Sequence, residues 1–226
     1  MKPILLFCLL ASAFTLHAKS TNDFTLNKQH KPIFTKNTLF KAGTATFASV
    51  GDDLVTCDFE NIQAAITSGV EEVRVQKSLT FTENLTIQNQ NIRIIGGYTT
   101  CTHANNGNNP STASTIVDGN NTGPTLIVDN DNSDYEITLK NLWLQNGNSG
   151  AVNLGGGLQA TGEQTSINIE NTRVINNTGS GINAEGIQQL IIKDSLIGYN
   201  NAVLGGGVAC SDTHVYIYGK TSIQSN

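Results

Sequence analysis

Several polar residues alternate with apolar ones in short strands, where they could meet a ligand together. They are Asp129, Gln159, Thr161, Asn183, Glu185 and Ser211. Inverting glycoside hydrolysis needs two carboxyl groups about 6.5 to 9.5 Å apart, and a lyase needs a basic residue beside metal-binding carboxylates. None of the six is basic, and the repeat described below puts Asp129 and Glu185 about 10 Å apart. We therefore predict no catalytic residues and interpret the set as a surface that hydrogen-bonds sugar hydroxyls, with ordinary solvated surface as the alternative for Asp129 and Glu185.

A second set of side chains combines an aromatic ring with basic groups. It consists of Arg93, Trp143, Arg173 and Leu196. The register inferred from the repeat points these side chains outward, with Trp143 and Arg173 on neighbouring turns. An exposed tryptophan beside an arginine is typical of an interaction anchor. The alternative interpretation is ordinary surface packing, covered by the N-terminal extension.

We expect no cofactor and no metal site. The four histidines are too scattered for zinc. The triple-glycine clusters do not predict phosphate loops, because no helix follows them. The acidic segment 129–134 could hold Ca²⁺ weakly, although solvation alone explains it.

An internal repeat positions these residues. Segments starting at Ile137, Ile167, Ile191 and Val215 each contain an alternating strand, a corner, a second strand and a polar turn. The corner residues are separated by 30, 23 and 25 positions and are Asn141, Asn171, Asp194 and Gly219. Because these residue types tolerate a left-handed backbone, the corner recurs for a steric reason.

A third strand in each repeat completes the pattern. Equivalent strands begin at Leu126, Leu158, Ile182 and Val208, at spacings of 32, 24 and 26 residues. Three strands per repeat do not fit a sandwich, whose turns come about every 8 to 12 residues without a longer period. They predict an all-β fold, a single-stranded right-handed parallel β-helix of about six coils, each coil being one turn stacked about 4.8 Å from the next. Cys210 is then expected to be a buried free thiol, with pairing to another chain as the alternative.

The start of the predicted β-helix carries a short capping helix over residues 58–69. Phe59, Ile62 and Ile66 fall at helical spacing, Asp58 can cap the first turn and Gly69 can end the last. Cys57 and Cys101 flank this first unit outside the repeats. We predict that they form a disulfide in an oxidising compartment.

The N-terminus predicts export. Residues 1–18 have the basic start, apolar run and small residue of a signal peptide, and the run is too short for the alternative, a membrane anchor. Residues 19–50 then form an extension and residues 51–226 the β-helix, which we expect to be incomplete at its C-terminus and to have no transmembrane segment after cleavage. The net charge of −5 and a total of three arginines argue against nucleic acid as a partner.

The glycine clusters followed by an aliphatic residue alternate with aliphatic-x-x-Asn turns. The clusters are GGGL, GSGI and GGGV, and the turns are VINN, IGYN and IQSN. This pattern resembles the repeats of polymorphic outer-membrane proteins and related exported bacterial β-helix proteins of the pectin-lyase-like superfamily, although those repeats usually have Phe where this chain has Val174, Ile197 and Ile223. The segment 57–66 with Gly96, Gly97 and Tyr98 downstream resembles their capping region. The resemblance implies the fold across residues 50–226 but not one activity.

From this resemblance we expect an adhesin-like scaffold, secreted or at the cell surface, that binds glycan or a host or partner surface. A carbohydrate-active enzyme, lyase or hydrolase, whose catalytic part is missing or degenerate is the main alternative, and a structural spacer is another. An open C-terminal coil would also allow end-to-end self-association, because uncovered strands leave backbone groups unpaired.

Overall fold

A computed structural model of the chain describes residues 4–7, 46–150, 154–203 and 205–226. Three sheets, A, B and C, enclose one core, and the strands are numbered in chain order. Sheet A contains eight strands: β1 (Ile4–Phe7), β2 (Phe47–Val50), β3 (Glu72–Gln76), β6 (Ile92–Tyr98), β9 (Tyr135–Lys140), β12 (Thr165–Glu170), β15 (Gln189–Lys193) and β18 (His214–Tyr218). Sheet B contains six strands: β4 (Thr80–Thr82), β7 (Thr115–Asp118), β10 (Leu142–Gln145), β13 (Arg173–Ile175), β16 (Leu196–Gly198) and β19 (Ser222–Gln224). Sheet C contains five strands: β5 (Leu85–Ile87), β8 (Leu126–Asp129), β11 (Gly155–Thr161), β14 (Ser180–Glu185) and β17 (Val208–Ser211).

Apart from β1, neighbouring strands of each sheet pair in parallel, so the chain winds through sheets A, B and C in turn. Ile137 of β9 faces Ile167 of β12, and Ile167 in turn faces Leu190 of β15. This arrangement is a parallel β-helix of about seven coils and confirms the predicted fold class. The sequence suggested about six coils, because the repeat is less regular before Leu126.

The predicted corner residues occupy one column between sheets A and B. The φ angles of Asn141, Asn171, Asp194 and Gly219 are 56°, 46°, 49° and 71°. The side-chain amide of Asn171 donates a 2.6 Å hydrogen bond to the side-chain oxygen of Asn141. The left-handed backbone thus turns each coil at the same position between sheets A and B. The hydrogen bond between the side chains of Asn171 and Asn141 also links two successive coils.

Aliphatic side chains from all three sheets fill the core. Leu126, Leu158 and Ile182 stack in register on sheet C, and each is completely buried. Alternate side chains point inward because the side-chain period of a strand is two. The same period therefore fixes which residues of each strand are available outside.

Two short helices, α1 (Ile62–Thr67) and α2 (Cys101–Asn105), lie near the N-terminal end. Helix α1 packs Ile62 and Ile66 into the main core, whereas α2 packs Ala104 against Ile95 and Tyr98 in a separate cluster. Helix α1 starts later than predicted, because Asn61 caps it and Asp58 does not. The carboxylate of Asp58 instead accepts hydrogen bonds from the backbone and hydroxyl of Ser49, both of 2.8 Å. The predicted disulfide between Cys57 and Cys101 is confirmed.

Cys210 lies on β17 beside Ala184, facing the core as predicted. The expectation of a free thiol is wrong, because Cys210 is disulfide-bonded, with a partner outside the described residues. The side chain is only partly buried, so the core does not enclose the sulfur as it would a thiol deep inside the stack.

Within the predicted signal peptide, the backbone of β1 is described. It runs antiparallel to β18, with Ile4 facing Ile217 and Phe7 facing His214. Most of the predicted extension 19–50 lies outside the described residues, although Phe47–Val50 already belongs to sheet A. None of the described helices has the length and apolar character needed to cross a bilayer.

Candidate functional site

The outward face of sheet C brings together the polar residues that the sequence singled out. Asp129, Thr161, Glu185 and Ser211 face one another in register on four successive coils. We call these four residues the sheet C ladder. The hydroxyl of Thr161 donates a 3.3 Å hydrogen bond to Asp129, and the amide of Gln88 donates another of 3.3 Å to the same carboxylate. The carboxylate of Asp129 is therefore held in position from both neighbouring coils.

A second column runs beside this ladder. Gln159 and Asn183 are adjacent in it, between Ile127 and Ala209. Asn183 is 8% exposed although it points away from the core, whereas Gln159 is half-buried. The two columns together form a polar strip with partly shielded amides along one edge.

The chemistry of the strip is that of a hydrogen-bonding surface. Asp129 and Glu185 can only accept hydrogen bonds when ionised, whereas Gln159, Asn183 and the two hydroxyls can both donate and accept. The two carboxylates are two coils apart, which corresponds to about 9.6 Å and lies at the far limit of the spacing used by inverting hydrolases. The geometry suits the binding of a hydroxyl-rich ligand better than the cleavage of one.

Three of the four residues of the predicted interaction stripe meet on sheet B. Trp143, Arg173 and Leu196 face one another in register on β10, β13 and β16. The guanidinium carbon of Arg173 lies 4.8 Å from the ring centroid of Trp143, within the range of a cation–π interaction. The indole nitrogen of Trp143 is buried and finds no hydrogen-bond partner among the described residues.

Arg93 does not join these three side chains. It lies on β6 of sheet A, in register with Glu72 and Thr138, and forms a 2.9 Å ion pair with Glu72. The sequence placed it in the stripe because the short early coils give no clear register. The stripe in the structure therefore consists of Trp143, Arg173 and Leu196.

A polar cleft of about 230 Å³ lies between the corner column and sheet B. We call it the corner cleft. Residues of the corner column, of sheet B and of a crossing loop line it: Thr112, Ser114, Asn171, Thr172, Arg173, Asp194, Ser195, Leu196, Lys220 and Ser222. The stripe and the corner column, which the sequence treated separately, thus border one site.

The loop that forms one wall of the corner cleft is held by the corner asparagines. The side-chain amide of Asn141 donates a 3.1 Å hydrogen bond to the carbonyl of Ser111, and that of Asn171 donates one of 3.3 Å to the carbonyl of Thr112. Sequence reasoning missed Thr112, Ser114 and Lys220 as cleft residues. The loop has no counterpart in the other repeats, so no periodic pattern could have predicted its position.

A shallower depression of about 420 Å³ adjoins helix α1 and is lined in part by Glu60, Phe81 and Glu83. The carboxylate of Glu83 accepts hydrogen bonds of 2.7 and 3.0 Å from the backbone nitrogens of Ile62 and Gln63. This carboxylate is therefore occupied in holding the first turn of the helix. Among the residues that the structure describes, no group of three or more His, Cys, Asp or Glu side chains is placed to hold a metal ion.

Scans of the chain against known protein families, curated proteins and solved structures found no match. The fold is therefore assigned from strand register, and the sites from their own geometry.

Proposed function

We propose that this chain is an exported, adhesin-like scaffold that binds glycan through the sheet C ladder. The observation that carries the proposal is the register of Asp129, Thr161, Glu185 and Ser211 on four successive coils. The features of a signal peptide in residues 1–18 support export. The resemblance of the glycine-led repeats to exported β-helix proteins supports display at a cell surface.

The physical basis is repetition on a rigid surface. Polar groups recur at the coil spacing of about 4.8 Å, so an extended chain of sugars can form similar hydrogen bonds several times over. The strands carrying these groups have neighbours on both sides within sheet C, except at its ends. Little ordering of the protein is then needed on binding, which favours affinity.

The test is to screen the purified protein on a glycan array and to measure the affinity of any hit by calorimetry. Replacing Thr161 and Glu185 together by alanine should weaken binding roughly tenfold or more, because each lost hydrogen bond to a charged or polar group costs about 1 to 3 kcal/mol. Ser166→Ala is the matched control, since Ser166 points outward from sheet A. Its affinity should equal that of the unaltered protein.

Two results would contradict the proposal. An unaltered protein that binds no glycan on the array would indicate a spacer. Release of reducing or unsaturated sugars from a bound polysaccharide would instead indicate the carbohydrate-active enzyme that the sequence left as the alternative.

A further inference from the structure

Most of the described basic side chains form ion pairs, and two of those that do not line the corner cleft. Four described cations form ion pairs with Glu72 or Glu170, namely Arg74, Arg93, Lys140 and Lys193. Three described cations have no carboxylate partner within the described residues, namely Lys77, Arg173 and Lys220. Two of these three line the corner cleft. The chain has a net charge of −5. The cleft nevertheless contains two positive charges, and no described carboxylate forms an ion pair with either of them.

The two unpaired cations sit at separated positions along the β-helix axis. Arg173 faces Leu196, which faces Ser222, and Lys220 precedes Ser222 by two residues. The two residues are therefore two coils apart, which corresponds to about 10 Å. The stacking of Arg173 on Trp143 restricts the guanidinium and leaves the side chain exposed. The cleft can thus contact two acidic groups of an extended ligand, one at each cation. It can also contact one acidic group together with the part of the ligand next to that group.

The rest of the cleft lining is hydroxylic. Thr112, Ser114 and Ser222 present hydroxyls that can donate and accept hydrogen bonds. Asp194 also borders the cleft, and its Oδ1 atom already accepts a 2.8 Å hydrogen bond from the backbone nitrogen of Lys220. Its other oxygen can accept a hydrogen bond from a ligand hydroxyl. A ligand that fits all these groups carries both acid groups and hydroxyls.

We propose that the corner cleft binds an acidic oligosaccharide, with a carboxylate or sulfate at Arg173 and Lys220 and sugar hydroxyls at Thr112, Ser114, Asp194 and Ser222. Guanidinium and ammonium groups form charge-assisted hydrogen bonds with such anions. This site lies on sheet B and the A–B corner, apart from the sheet C ladder, so the two proposals can fail independently. An extended acidic peptide such as polyglutamate fits less well, because its side chains carry no hydroxyls for Thr112, Ser114 and Asp194. The strands β13 and β16 beside the cleft are also paired on both sides within sheet B.

The experiment is calorimetry with the purified full chain and four probes: a uronate oligosaccharide, a sulfated oligosaccharide, a neutral oligosaccharide of equal length and a polyglutamate peptide. We expect one or both acidic oligosaccharides to bind more tightly than the neutral oligosaccharide, and more weakly as salt is raised, whereas the peptide should not bind. The uronate and sulfated probes distinguish the two sources of negative charge. Binding of polyglutamate without either acidic oligosaccharide would overturn the proposal, as would equal binding of the neutral probe or no binding of any probe.

Variants locate the binding in the cleft. Arg173→Gln together with Lys220→Gln should weaken acidic oligosaccharide binding roughly tenfold or more, because both charge-assisted contacts to the anion are lost. Lys77→Gln removes the one other described cation without an ion pair to a described residue, which lies outside the cleft, and should leave the affinity unchanged. An unchanged affinity in the cleft variant, with circular dichroism showing that it is folded, would overturn the assignment.

Discussion

The side-chain amide of Asn177 donates a 2.9 Å hydrogen bond to the side-chain oxygen of Asn200 on the next coil. Asn200 repeats the contact with Asn226 at 3.1 Å. Each amide also donates to a backbone carbonyl inside the turn, from Asn177 to Leu144 at 3.3 Å and from Asn200 to Val174 at 3.0 Å. This internal ladder pairs backbone groups that the turn after sheet B would otherwise bury unsatisfied.

Asn177→Ala should therefore lower the free energy of unfolding by about 2 to 3 kcal/mol. Asn177 is 2% exposed, and its oxygen accepts a 2.8 Å hydrogen bond from the backbone nitrogen of Gly147. Removal of the amide leaves that donor buried without a partner. Urea unfolding followed by circular dichroism measures the effect, and Asn201→Ala on the exposed side of the turn is the control. Equal stabilities of the two variants would show that the ladder contributes nothing specific.

A second left-handed corner, between sheets B and C, contains one residue of an unusual type. Asn146, Asn176 and Ser225 have φ angles of 53°, 55° and 54° there, and Tyr199 has a φ angle of 57°. A bulky residue pays about 1 to 2 kcal/mol for this conformation, whereas asparagine adopts it routinely. Tyr199 is 55% exposed, so packing recovers only part of that cost.

Tyr199→Asn should raise the free energy of unfolding by about 0.5 to 1 kcal/mol. Tyr199→Phe retains the same ring at the same φ angle and should leave stability unchanged. Thermal and urea unfolding of both variants test this expectation. A loss of stability in Tyr199→Asn would mean that packing of the ring outweighs the backbone strain.

The corner columns could be predicted from sequence because they depend on backbone sterics alone. Asn141 and Gly219 lie where the backbone must adopt a left-handed conformation. Few residue types tolerate that conformation, so the residue types themselves indicate the corners. The register of sheet C was equally accessible, since glycine clusters mark the start of three of its strands and the side-chain period of two then determines which side chains face outward.

Contacts between residues that are far apart in the sequence could not be predicted in the same way. Asp58 and Asn61 are both good capping residues, and only the position of Ser49 on a neighbouring strand decides that Asp58 is used elsewhere. The corner cleft depends on a loop that crosses the corner column outside the repeat. Lys220 and Arg173 line the same cleft only because the coils that carry them stack.

The glycine clusters have a steric role that a single substitution can test. A Cβ atom at Gly157 would lie 2.5 Å from the carbonyl oxygen of Gly181 and would also overlap Val174. Because a backbone oxygen cannot move aside cheaply, Gly157→Ala should destabilise the protein by about 1 to 3 kcal/mol. At Gly123 the nearest atom to a new Cβ is 3.6 Å away, on Asn84, so Gly123→Ala serves as the control. Urea unfolding should separate the two, and similar midpoints would mean that the coils adjust their spacing.

On the outside of sheet A, the carboxylate of Glu170 lies between two lysines on neighbouring coils. It accepts hydrogen bonds of 2.8 Å from Lys193 and 3.2 Å from Lys140. The bond from Lys193 lowers the pKa of Glu170 below its ordinary value of 4.5, assisted by Lys140 and opposed by partial burial. The same contact with Glu170 raises the pKa of Lys193 above 10.5.

These directions fix the pH range in which the contacts stabilise the fold. A carboxylate whose pKa is lowered on folding contributes fully above 4.5, and its contribution is lost as the pH falls through the folded pKa. The lysine contributes fully below 10.5 and loses its contribution as the pH rises through its folded pKa. Between those limits, Glu170→Gln should lower the free energy of unfolding by about 1 kcal/mol or less, since the lysines are more than a third exposed.

The difference between Glu170→Gln and the unaltered protein should therefore disappear in acid. Urea unfolding at about pH 7 and at a pH below the lowered folded pKa of Glu170 measures this directly, because at the lower pH the Glu170 side chain is protonated in both the folded and the unfolded state. Glu163→Gln, at an exposed carboxylate without a described ion pair, should not change stability at either pH. If the deficit of Glu170→Gln did not shrink at the lower pH, it would come from altered packing of the side chain, and the charge of Glu170 would not be its cause.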